Sequence, residues 1–314
     1  MTGWPASEWA ARLDRAREVI AAALPPTPVI ASPGLGEGVH LKLESFQPTG
    51  SFKVRGALAA LSAAGSGHGV VTASTGNHAL GVAWAAHRLG IPATLVVPAS
   101  TSPAKLAALQ RLPATVIVHG GSYEDADQHA RARAGNDLRY LSSSSDPDVI
   151  AGQATIGSEL LAQLPGTFTV VCGVGGGGLA SGLGLAASRA DPMSVIGVEA
   201  AASPAMSTAL RAGTVIPVNV ADTLADGLAG NLEPGAISVG LIREHLDGLV
   251  PVTEEQIADA IRYLAREHGL VAEGAGAAPV AAILAGTIPV AGQAVAIISG
   301  RNITLQALAQ VLQA

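Results

Sequence analysis

Short apolar runs separated by helical stretches recur along most of this sequence, and this alternation constrains the fold more than any other feature. The runs short enough to be buried strands are residues 70–73, 94–97, 115–118, 168–172, 194–198 and 294–298. Strands buried on both faces of a parallel sheet read as continuous apolar runs, whereas helices read as stretches with a 3.6-residue period. Repeated strand–helix alternation therefore predicts an α/β fold with mainly parallel strands.

The composition excludes several classes of protein. A chain of 314 residues predicts about two domains. A formal net charge of −6 and an aromatic content of 3% argue against a nucleic-acid binder, which needs a basic face and stacking rings. The one cysteine, Cys172, cannot form an internal disulfide, which favours the reducing cytoplasm.

An uncharged segment at 274–299 raises the question of a membrane span, because it is long enough to cross a bilayer. Glycines and prolines interrupt it, Pro279 and Pro289 among them, so we predict a helix, a turn and a buried strand instead. Residues 1–10 carry Glu8 and lack both a basic and an apolar region, which argues against a signal peptide. The sequence thus predicts a cytoplasmic protein with neither membrane nor nucleic acid as a partner.

Lysine is rare in this chain, which makes each lysine more informative. Lys42 alternates with leucines and is predicted on the outer face of a strand, and Lys105 is predicted in a solvated first helical turn. Lys53 lies between Gly50 and Gly56 and has two interpretations, a surface charge or a Schiff-base lysine. The second requires a neutral amine, and a partly buried, glycine-lined setting would lower its pKa from the ordinary value of about 10.4.

Five small or polar residues follow one predicted strand and open a predicted helix: Ser74, Thr75, Gly76, Asn77 and His78. The first turn of a helix leaves N–H donors unpaired, so these donors and the hydroxyls could bind an anion such as a carboxylate. An ordinary helix cap is the alternative, and this segment alone slightly favours it.

A run of glycines follows the predicted strand at 168–172 and precedes a predicted helix. Residues 175–178 are four consecutive glycines, which would let backbone N–H groups approach a phosphate without side chains in the way. With Gly173 the run also satisfies the dinucleotide pattern G-x-G-x-x-G, and Glu199 follows about twenty residues on. A nicotinamide (NAD)-dependent oxidoreductase is therefore a competing interpretation, although it leaves Lys53 unexplained.

Taken together, these segments resemble the fold-type II pyridoxal-phosphate enzymes, in the serine/threonine dehydratase and serine racemase branch. The matching motifs are LKLE at 41–44 with GSFKVRGA at 50–57, STGNH at 74–78, GQATIG at 152–157 and GGGG at 175–178. The resemblance covers nearly the whole chain, from about residue 28 to residue 302. It implies two open, twisted, mainly parallel sheets flanked by helices. The large, cofactor-binding domain would comprise 1–65 and 146–314, and the small domain 66–145.

The resemblance also implies a role for each matching residue. Lys53 would hold pyridoxal 5′-phosphate as a Schiff base and later move the Cα proton. Asn77 would bind the ring hydroxyl, and Ser299, at the end of the last predicted strand, would contact the pyridine nitrogen. The phosphate would rest on Gly175, Gly176, Gly177 and Gly178, and the substrate carboxylate on Ser74, Thr75, Gly76, Asn77 and His78. A homodimer is the family expectation.

These roles imply a PLP-dependent ammonia-lyase that removes water from a β-hydroxy amino acid such as L-threonine or L-serine. A neutral hydroxyl from Ser299 would leave the ring nitrogen uncharged, which weakens the electron sink and favours prompt loss of the β-hydroxyl. Lys53 would remove the Cα proton, and the released product would hydrolyse to a 2-oxo acid and ammonia. A non-catalytic amino-acid-binding relative is a further alternative, and retention of Lys53, Asn77 and Ser299 argues against it.

Three departures from the family pattern keep alternatives open. Thr75 stands where serine racemases have a serine that acts as acid or base. Its hydroxyl could serve but its methyl group adds bulk, so an amino-acid racemase stays an alternative that this position does not favour. Four serines at 142–145 replace the usual His-Pro segment, which could admit a more polar or larger substrate and makes a hydroxyaspartate-type dehydratase another. Glu199 and Ser203 match the first two ligands of the family's divalent-metal site. Ala205 replaces the acidic third ligand, which counts against a bound cation.

Overall fold

The computed structural model describes residues 5–65, 68–135, 137–288 and 292–313. The strands in these ranges are β1 Val29–Ala31, β2 Val39–Lys42, β3 Gly69–Ala73, β4 Ala93–Val97, β5 Thr115–Val118, β6 Leu138–Tyr140, β7 Phe168–Gly173, β8 Met193–Ala200, β9 Gly248–Val252 and β10 Gln293–Ile297. The helices are α1 Ala6–Ala23, α2 Lys53–Ala64, α3 Asn77–Leu89, α4 Pro103–Leu109, α5 Tyr123–Ala132, α6 Pro147–Gln163, α7 Gly178–Ala187, α8 Ala205–Ala212, α9 Ile237–His245, α10 Glu254–His268, α11 Gly274–Leu284 and α12 Leu305–Gln313.

The larger sheet contains six strands in the order β1-β2-β10-β7-β8-β9. β1 runs antiparallel to β2, and the other neighbouring pairs are parallel. The register aligns Ile297 of β10 with Lys42 of β2, and Val171 of β7 with Ile196 of β8. One apolar cluster joins the sheet to α6 and α7, and another joins it to α10 and α11, so helices cover both faces.

The smaller sheet contains four parallel strands in the order β5-β4-β3-β6. One face packs into a cluster that includes Leu58 of α2 and Val82 of α3 beside Leu95 of β4. Ala126 and Ala130 of α5 pack against the other face. This sheet therefore has its own buried core, to which helices from both sides of it in the sequence contribute.

The strands of the smaller sheet all come from residues 69–140, and those of the larger sheet come from either side of that range. We propose that the domain boundary follows this division. The small domain would then be 66–145, and the large domain 1–65 together with 146–314.

The predicted strands are all present, each within two residues of its predicted ends, and the predicted α/β fold with two mainly parallel sheets is confirmed. The sequence does not predict β1, β6 and β9. These are short edge strands of three to five residues. The apolar run of β1 is only three residues long, Arg139 interrupts β6, and Pro251 interrupts β9, so none has the longer apolar run on which the prediction depends.

Lys42 contradicts its predicted place on the outer face of a strand, because its side chain is fully buried. β2 lies between β1 and β10 under covering helices, and the amine reaches α6. There Lys42 Nζ donates to Glu159 Oε2 at 2.5 Å and to Gln163 Oε1 at 2.9 Å. Arg55 Nη1 donates to the same carboxylate at 2.7 Å. The buried charges thus compensate one another beneath the helix that begins at Lys53.

The uncharged segment forms α11 and β10, in agreement with the predicted helix and strand, while Pro289 lies outside the described residues. Across the described ranges, no helix is both long enough and apolar enough to cross a membrane. The prediction that no signal peptide is present concerns residues 1–10, of which 1–4 also lie outside the described residues.

Candidate active site

Lys53 opens α2, and the loop before it is bound to the strand end that carries Ser299. The N–H of Phe52 donates to the carbonyl oxygen of Ser299 at 3.0 Å. Gly50 has a φ of +76°, and a Cβ there would lie 2.4 Å from Asn302 Oδ1, so this close approach requires glycine. Folding therefore brings Lys53 and Ser299, which are distant in sequence, into adjacent turns.

Lys53 is half-buried as a residue, and its Nζ donates to the carbonyl oxygen of Ser143 at 3.3 Å. Burial lowers the pKa of Lys53 to about 8, while the carboxylates of Glu233 and Glu273 act to raise it. Compared with an ordinary lysine, this pKa increases the neutral fraction of the amine at pH 7 by roughly two orders of magnitude. Such an amine can attack a carbonyl or accept a proton.

The glycine loop at 175–178 presents bare backbone between β7 and α7. A Cβ on Gly175 would lie 2.8 Å from the backbone of a neighbouring loop, and one on Gly176 would lie 2.7 Å from Ser144 Oγ. Gly177 has a φ of +89°, which disfavours any side chain. Within the described ranges, the N–H groups of these three glycines have no hydrogen-bond acceptor. The bare cradle and its unpaired donors fit the phosphate of pyridoxal phosphate.

The loop at 74–78 connects β3 to α3. Ser74 Oγ accepts hydrogen bonds from the N–H groups of Gly76 and Ala79, each at 3.3 Å. Thr75 is half-buried, and its hydroxyl has no hydrogen-bond partner among the residues that the structure describes. The loop therefore offers an unpaired hydroxyl beside the first turn of a helix, a combination that suits a carboxylate.

His78 lies behind this loop, with its Nε2 3.2 Å from the carbonyl oxygen of Leu141. Burial and the nearby charge of Lys53 lower the pKa of His78 to about 3. Its ring is therefore neutral around pH 7. Any part of His78 in carboxylate binding would involve hydrogen bonding rather than a cationic ring.

Glu273 is a site residue that the sequence analysis does not single out. Asn77 Nδ2 donates to Glu273 Oε1 at 2.6 Å, and Asn302 Nδ2 donates to Asn77 Oδ1 at 2.6 Å. Burial raises the pKa of Glu273 to about 7. Its one signal in the sequence is its place as the last charged residue before the uncharged segment that begins at Gly274.

The predicted metal ligands make other contacts. Glu199 Oε1 accepts from the N–H of Met206 at 2.7 Å, and Ser203 Oγ accepts from the N–H of Gly230 at 3.1 Å. Ala205 is buried as the first residue of α8. In the described part of the chain, no group of three or more His, Cys, Asp or Glu side chains could hold a metal ion. Because Glu199 accepts from an N–H group in the first turn of α8, it caps that helix. A cation site at Glu199 and Ser203 stays an untested expectation.

Comparison with known families finds that the family described as "Pyridoxal-phosphate dependent enzyme" matches residues 20–300. The chain is 43% identical over 283 residues to a protein named L-threonine ammonia-lyase from Thermotoga maritima, a match that spans 88% of this chain and 70% of that protein. It is 36% identical over 281 residues to L-threonine dehydratase catabolic TdcB from Escherichia coli K12, which spans 87% and 85% of the two chains.

Solved structures of related enzymes superpose on this chain over nearly its whole length. The processed form of threonine deaminase isoform 2 from Solanum lycopersicum superposes with a TM-score of 0.89 at 31% identity, covering 99% of this chain and 94% of that one. Maize serine racemase superposes with a TM-score of 0.87 at 28% identity, covering 96% of each chain. The fold is therefore shared over nearly the full length with enzymes of both names.

Proposed function

Because the chain belongs to the family of pyridoxal-phosphate-dependent enzymes, we propose that it is an ammonia-lyase acting on L-threonine or L-serine. The products would be a 2-oxo acid and ammonia. The relatives named threonine ammonia-lyase and threonine dehydratase support this reaction. Membership in the family decides against a nicotinamide-dependent oxidoreductase as the interpretation of this chain.

The observation that carries the proposal is the state of the Lys53 amine. Its pKa is lowered to about 8, and it contacts the segment at 142–145 that also packs against the glycine loop. When bound, pyridoxal phosphate supplies an electron sink for the bond broken at the Cα of an amino acid. Lys53 is then the group of this chain that removes the Cα proton, because its amine is available in the neutral form near pH 7.

The residues around Lys53 would bind the cofactor and the substrate and orient them. The N–H groups of 175–178, those of 175–177 being unpaired, would hold the phosphate, and the loop at 74–78 would hold the substrate carboxylate. The neutral hydroxyl of Ser299 would donate a hydrogen bond to the ring nitrogen, and the amide of Asn77 would donate one to the ring hydroxyl. Each of these groups lies on a loop or helix start that follows a parallel strand, where α/β sheets place ligands.

Racemisation is the second candidate, and the unpaired hydroxyl of Thr75 favours it. A hydroxyl on the face opposite a lysine could return a proton to Cα from the other side. Solved structures of maize serine racemase and of a pyridoxal 5′-phosphate-dependent aspartate racemase are both similar to this chain. We rank it second because two curated relatives, 43% and 39% identical to this chain, are named L-threonine ammonia-lyase.

The test combines cofactor trapping with a substrate panel. Borohydride reduction, digestion and mass spectrometry of the purified protein are expected to find the cofactor on Lys53. L-threonine, L-serine and L-threo-3-hydroxyaspartate are then incubated separately, and ammonia, 2-oxo acid and D-isomer are measured. Lys53→Ala is expected to lower turnover by roughly 10²–10⁴-fold or more. Lys105→Ala, whose exposed amine pairs with Asp226, is the matched control.

The panel separates the alternatives. Oxo acid from L-threonine or L-serine supports the lyase, and oxo acid from hydroxyaspartate alone would support the hydroxyaspartate-type dehydratase. D-isomer without oxo acid would replace the lyase by the racemase. A Lys53→Ala variant that turned over substrate at the parent rate would contradict the role of Lys53.

We also propose a cytoplasmic homodimer. The unpaired, buried Cys172 is compatible with a reducing compartment. Phe46 and Leu305 are large apolar side chains that are exposed in the single chain, as residues of an interface with a second copy would be. Light scattering at several protein concentrations tests the dimer, and a monomer at all of them would contradict it.

A further inference from the structure

Glu233, in the loop that precedes α9, bonds to three side chains of residues 131–144. Its Oε1 accepts from Ser142 Oγ at 2.5 Å and from Ser144 Oγ at 3.2 Å. Its Oε2 accepts from Arg131 Nη2 of α5 at 2.7 Å. Glu233 belongs to the part of the chain that forms the larger sheet. Its carboxylate therefore accepts hydrogen bonds from three side chains of the part that forms the smaller sheet, one on α5 and two after β6.

Ser142 connects the Glu233 carboxylate to the backbone of residues 144 and 145. Its Oγ donates to Glu233 and accepts from the N–H groups of Ser144 at 3.2 Å and Ser145 at 2.8 Å. A serine hydroxyl has one hydrogen and two lone pairs, so these bonds use its full capacity. We call residues 142–145 the serine turn. With Glu233 as the acceptor, the hydroxyl is oriented so that both lone pairs face the turn.

The serine turn lies between Lys53 and the glycine loop. Its Ser143 carbonyl oxygen accepts from Lys53 Nζ at 3.3 Å. Ser144 Oγ lies 2.7 Å from where a Cβ of Gly176 would be, so it packs directly on the loop. A shift of the turn would therefore move both the acceptor for the amine and one wall of the phosphate cradle.

Charge adds a second link between Glu233 and Lys53. The titratable side chains that face the Lys53 amine are Glu233, Glu273 and His78. His78 is neutral around pH 7. The carboxylates of Glu233 and Glu273 are therefore the groups that raise the pKa of Lys53 against the lowering caused by burial. Glu233 is itself held by Arg131, which also bonds to Asp127 and stacks on Tyr140 at 4.2 Å.

We propose that Glu233 is a positioning residue, which holds the serine turn against the Lys53 amine and fastens that turn to α5. It acts through Ser142 and Ser143 and does not itself touch the reacting atoms. This inference concerns the same site as the proposed function. Of the three experiments below, only the measurement of kcat depends on that function.

The variants Glu233→Gln, Glu233→Asp and Ser142→Ala separate charge from position. Glu233→Gln removes the charge, Glu233→Asp keeps it with a shorter reach, and Ser142→Ala keeps the charge but removes the bridge to the backbone. Glu244→Gln, an exposed glutamate of α9, is the matched control. Circular dichroism and thermal unfolding first confirm that each variant is folded.

The first readout needs no turnover. Hydrogen–deuterium exchange by mass spectrometry follows peptides that contain 142–149 in the full-length protein. Exchange of the Ser144 and Ser145 amides is expected to be about tenfold faster in Glu233→Gln and in Ser142→Ala, and unchanged in Glu244→Gln. Equal exchange in the parent and both site variants would overturn the proposal, whatever happens to activity.

The second readout is the reactivity of the amine in the cofactor-free, full-length protein. Acetic anhydride labelling of Lys53 at several pH values gives its titration midpoint. This midpoint is expected to fall by about half a unit or more in Glu233→Gln, because an opposing carboxylate is lost, and to be retained in Glu233→Asp. An unchanged midpoint in Glu233→Gln would overturn the electrostatic link.

The kinetic arm uses whichever amino acid the parent turns over. We expect kcat to fall about tenfold in Glu233→Gln, with partial recovery in Glu233→Asp, because misplacing a reacting group by a fraction of an ångström slows the step it performs. A parent without lyase activity would contradict the proposed function and leave the exchange and labelling results to judge the role of Glu233. A kcat equal to that of Glu244→Gln would contradict the positioning role.

Discussion

The side-chain amide of Asn77 donates to the carboxylate of Glu273 across 2.6 Å, although the two residues lie 196 positions apart. Asn302 bonds to the other end of the same amide, so Asn77 is oriented by two partners. Nδ2 is thereby fixed as the atom that faces Glu273. An asparagine predicted to bind the cofactor is thus held through a carboxylate whose own protonation changes near pH 7.

Glu273→Gln should change how stability depends on pH. Burial raises the pKa of Glu273 to about 7 from an ordinary value of 4.5, so between these values the folded protein holds a proton that the unfolded chain has lost. Stability therefore falls as pH rises through this window, by up to about 3 kcal/mol from this group. Glutamine can still accept from Asn77 but cannot ionise.

Urea unfolding of the cofactor-free protein at pH 5 and pH 8 measures the effect. We expect the variant to gain stability over the parent on going from pH 5 to pH 8. The same difference between variant and parent at both pH values would mean that Glu273 titrates normally.

Lys53→Met should stabilise the cofactor-free protein at neutral pH. The pKa of Lys53 is lowered from 10.5 to about 8, so the folded state disfavours the charged amine. Below pH 8 that penalty is fully present, and it disappears as pH rises towards 10.5, where the unfolded chain also loses its proton. Methionine has a similar length and no charge.

We expect a gain of about 1 to 2 kcal/mol in the free energy of unfolding at pH 7, shrinking steadily between pH 8 and pH 10. Lys105→Met, at an exposed position, is expected to change stability by less than about 0.5 kcal/mol. A destabilised Lys53→Met protein at pH 7 would show that the amine is not held at an electrostatic cost.

The sequence predicts the interior of this fold well because most of the interior strands are continuous apolar runs. β3, β4, β7, β8 and β10 are each buried on both faces, and no amphipathic pattern competes with that reading. The glycine loop and Lys53 are also visible in the sequence. Four adjacent glycines have few purely structural explanations. Lys53 alone is equally compatible with a surface charge, and its interpretation depends on the other motifs that accompany it.

Long-range electrostatic partners are what the sequence does not predict. Lys42 looks like an outward-facing residue until Glu159, 117 positions later, is brought beneath it. Glu233 and Glu273 carry no local motif, and their importance arises from contacts with Ser142 and Asn77 across the two halves of the chain. Local patterning reports burial, whereas pairing of buried charges depends on the tertiary fold.

Chelation should leave this protein unchanged, because the carboxylate of Glu199 is already occupied as a cap of α8. It accepts from the N–H groups of Met206 and Ser207, which satisfies donors at the start of that helix. We expect EDTA and magnesium chloride each to leave the thermal midpoint and the turnover rate unchanged. Glu199→Gln is expected to lower the free energy of unfolding by about 1 kcal/mol through loss of the charged cap. A magnesium-dependent rise in the parent's midpoint that Glu199→Gln abolishes would establish the cation site instead.

Gly176→Ala should weaken cofactor binding more than it weakens the fold. The new Cβ would lie 2.7 Å from Ser144 Oγ, so the serine turn or the loop must shift, and the methyl group would obstruct the approach of a phosphate to the backbone N–H groups. We expect the Kd for pyridoxal phosphate, measured by absorbance titration, to rise at least about tenfold, equivalent to about 1.4 kcal/mol.

Gly248→Ala is the matched control, since a Cβ there would meet nothing within 4 Å and its backbone φ suits alanine. Its Kd should equal that of the parent. Because Gly176 has no positive φ, alanine adds little backbone strain at that position, so a large loss of affinity with a nearly unchanged urea midpoint would assign the effect to the phosphate cradle. Equal affinities of the parent and Gly176→Ala would mean that the phosphate is held elsewhere.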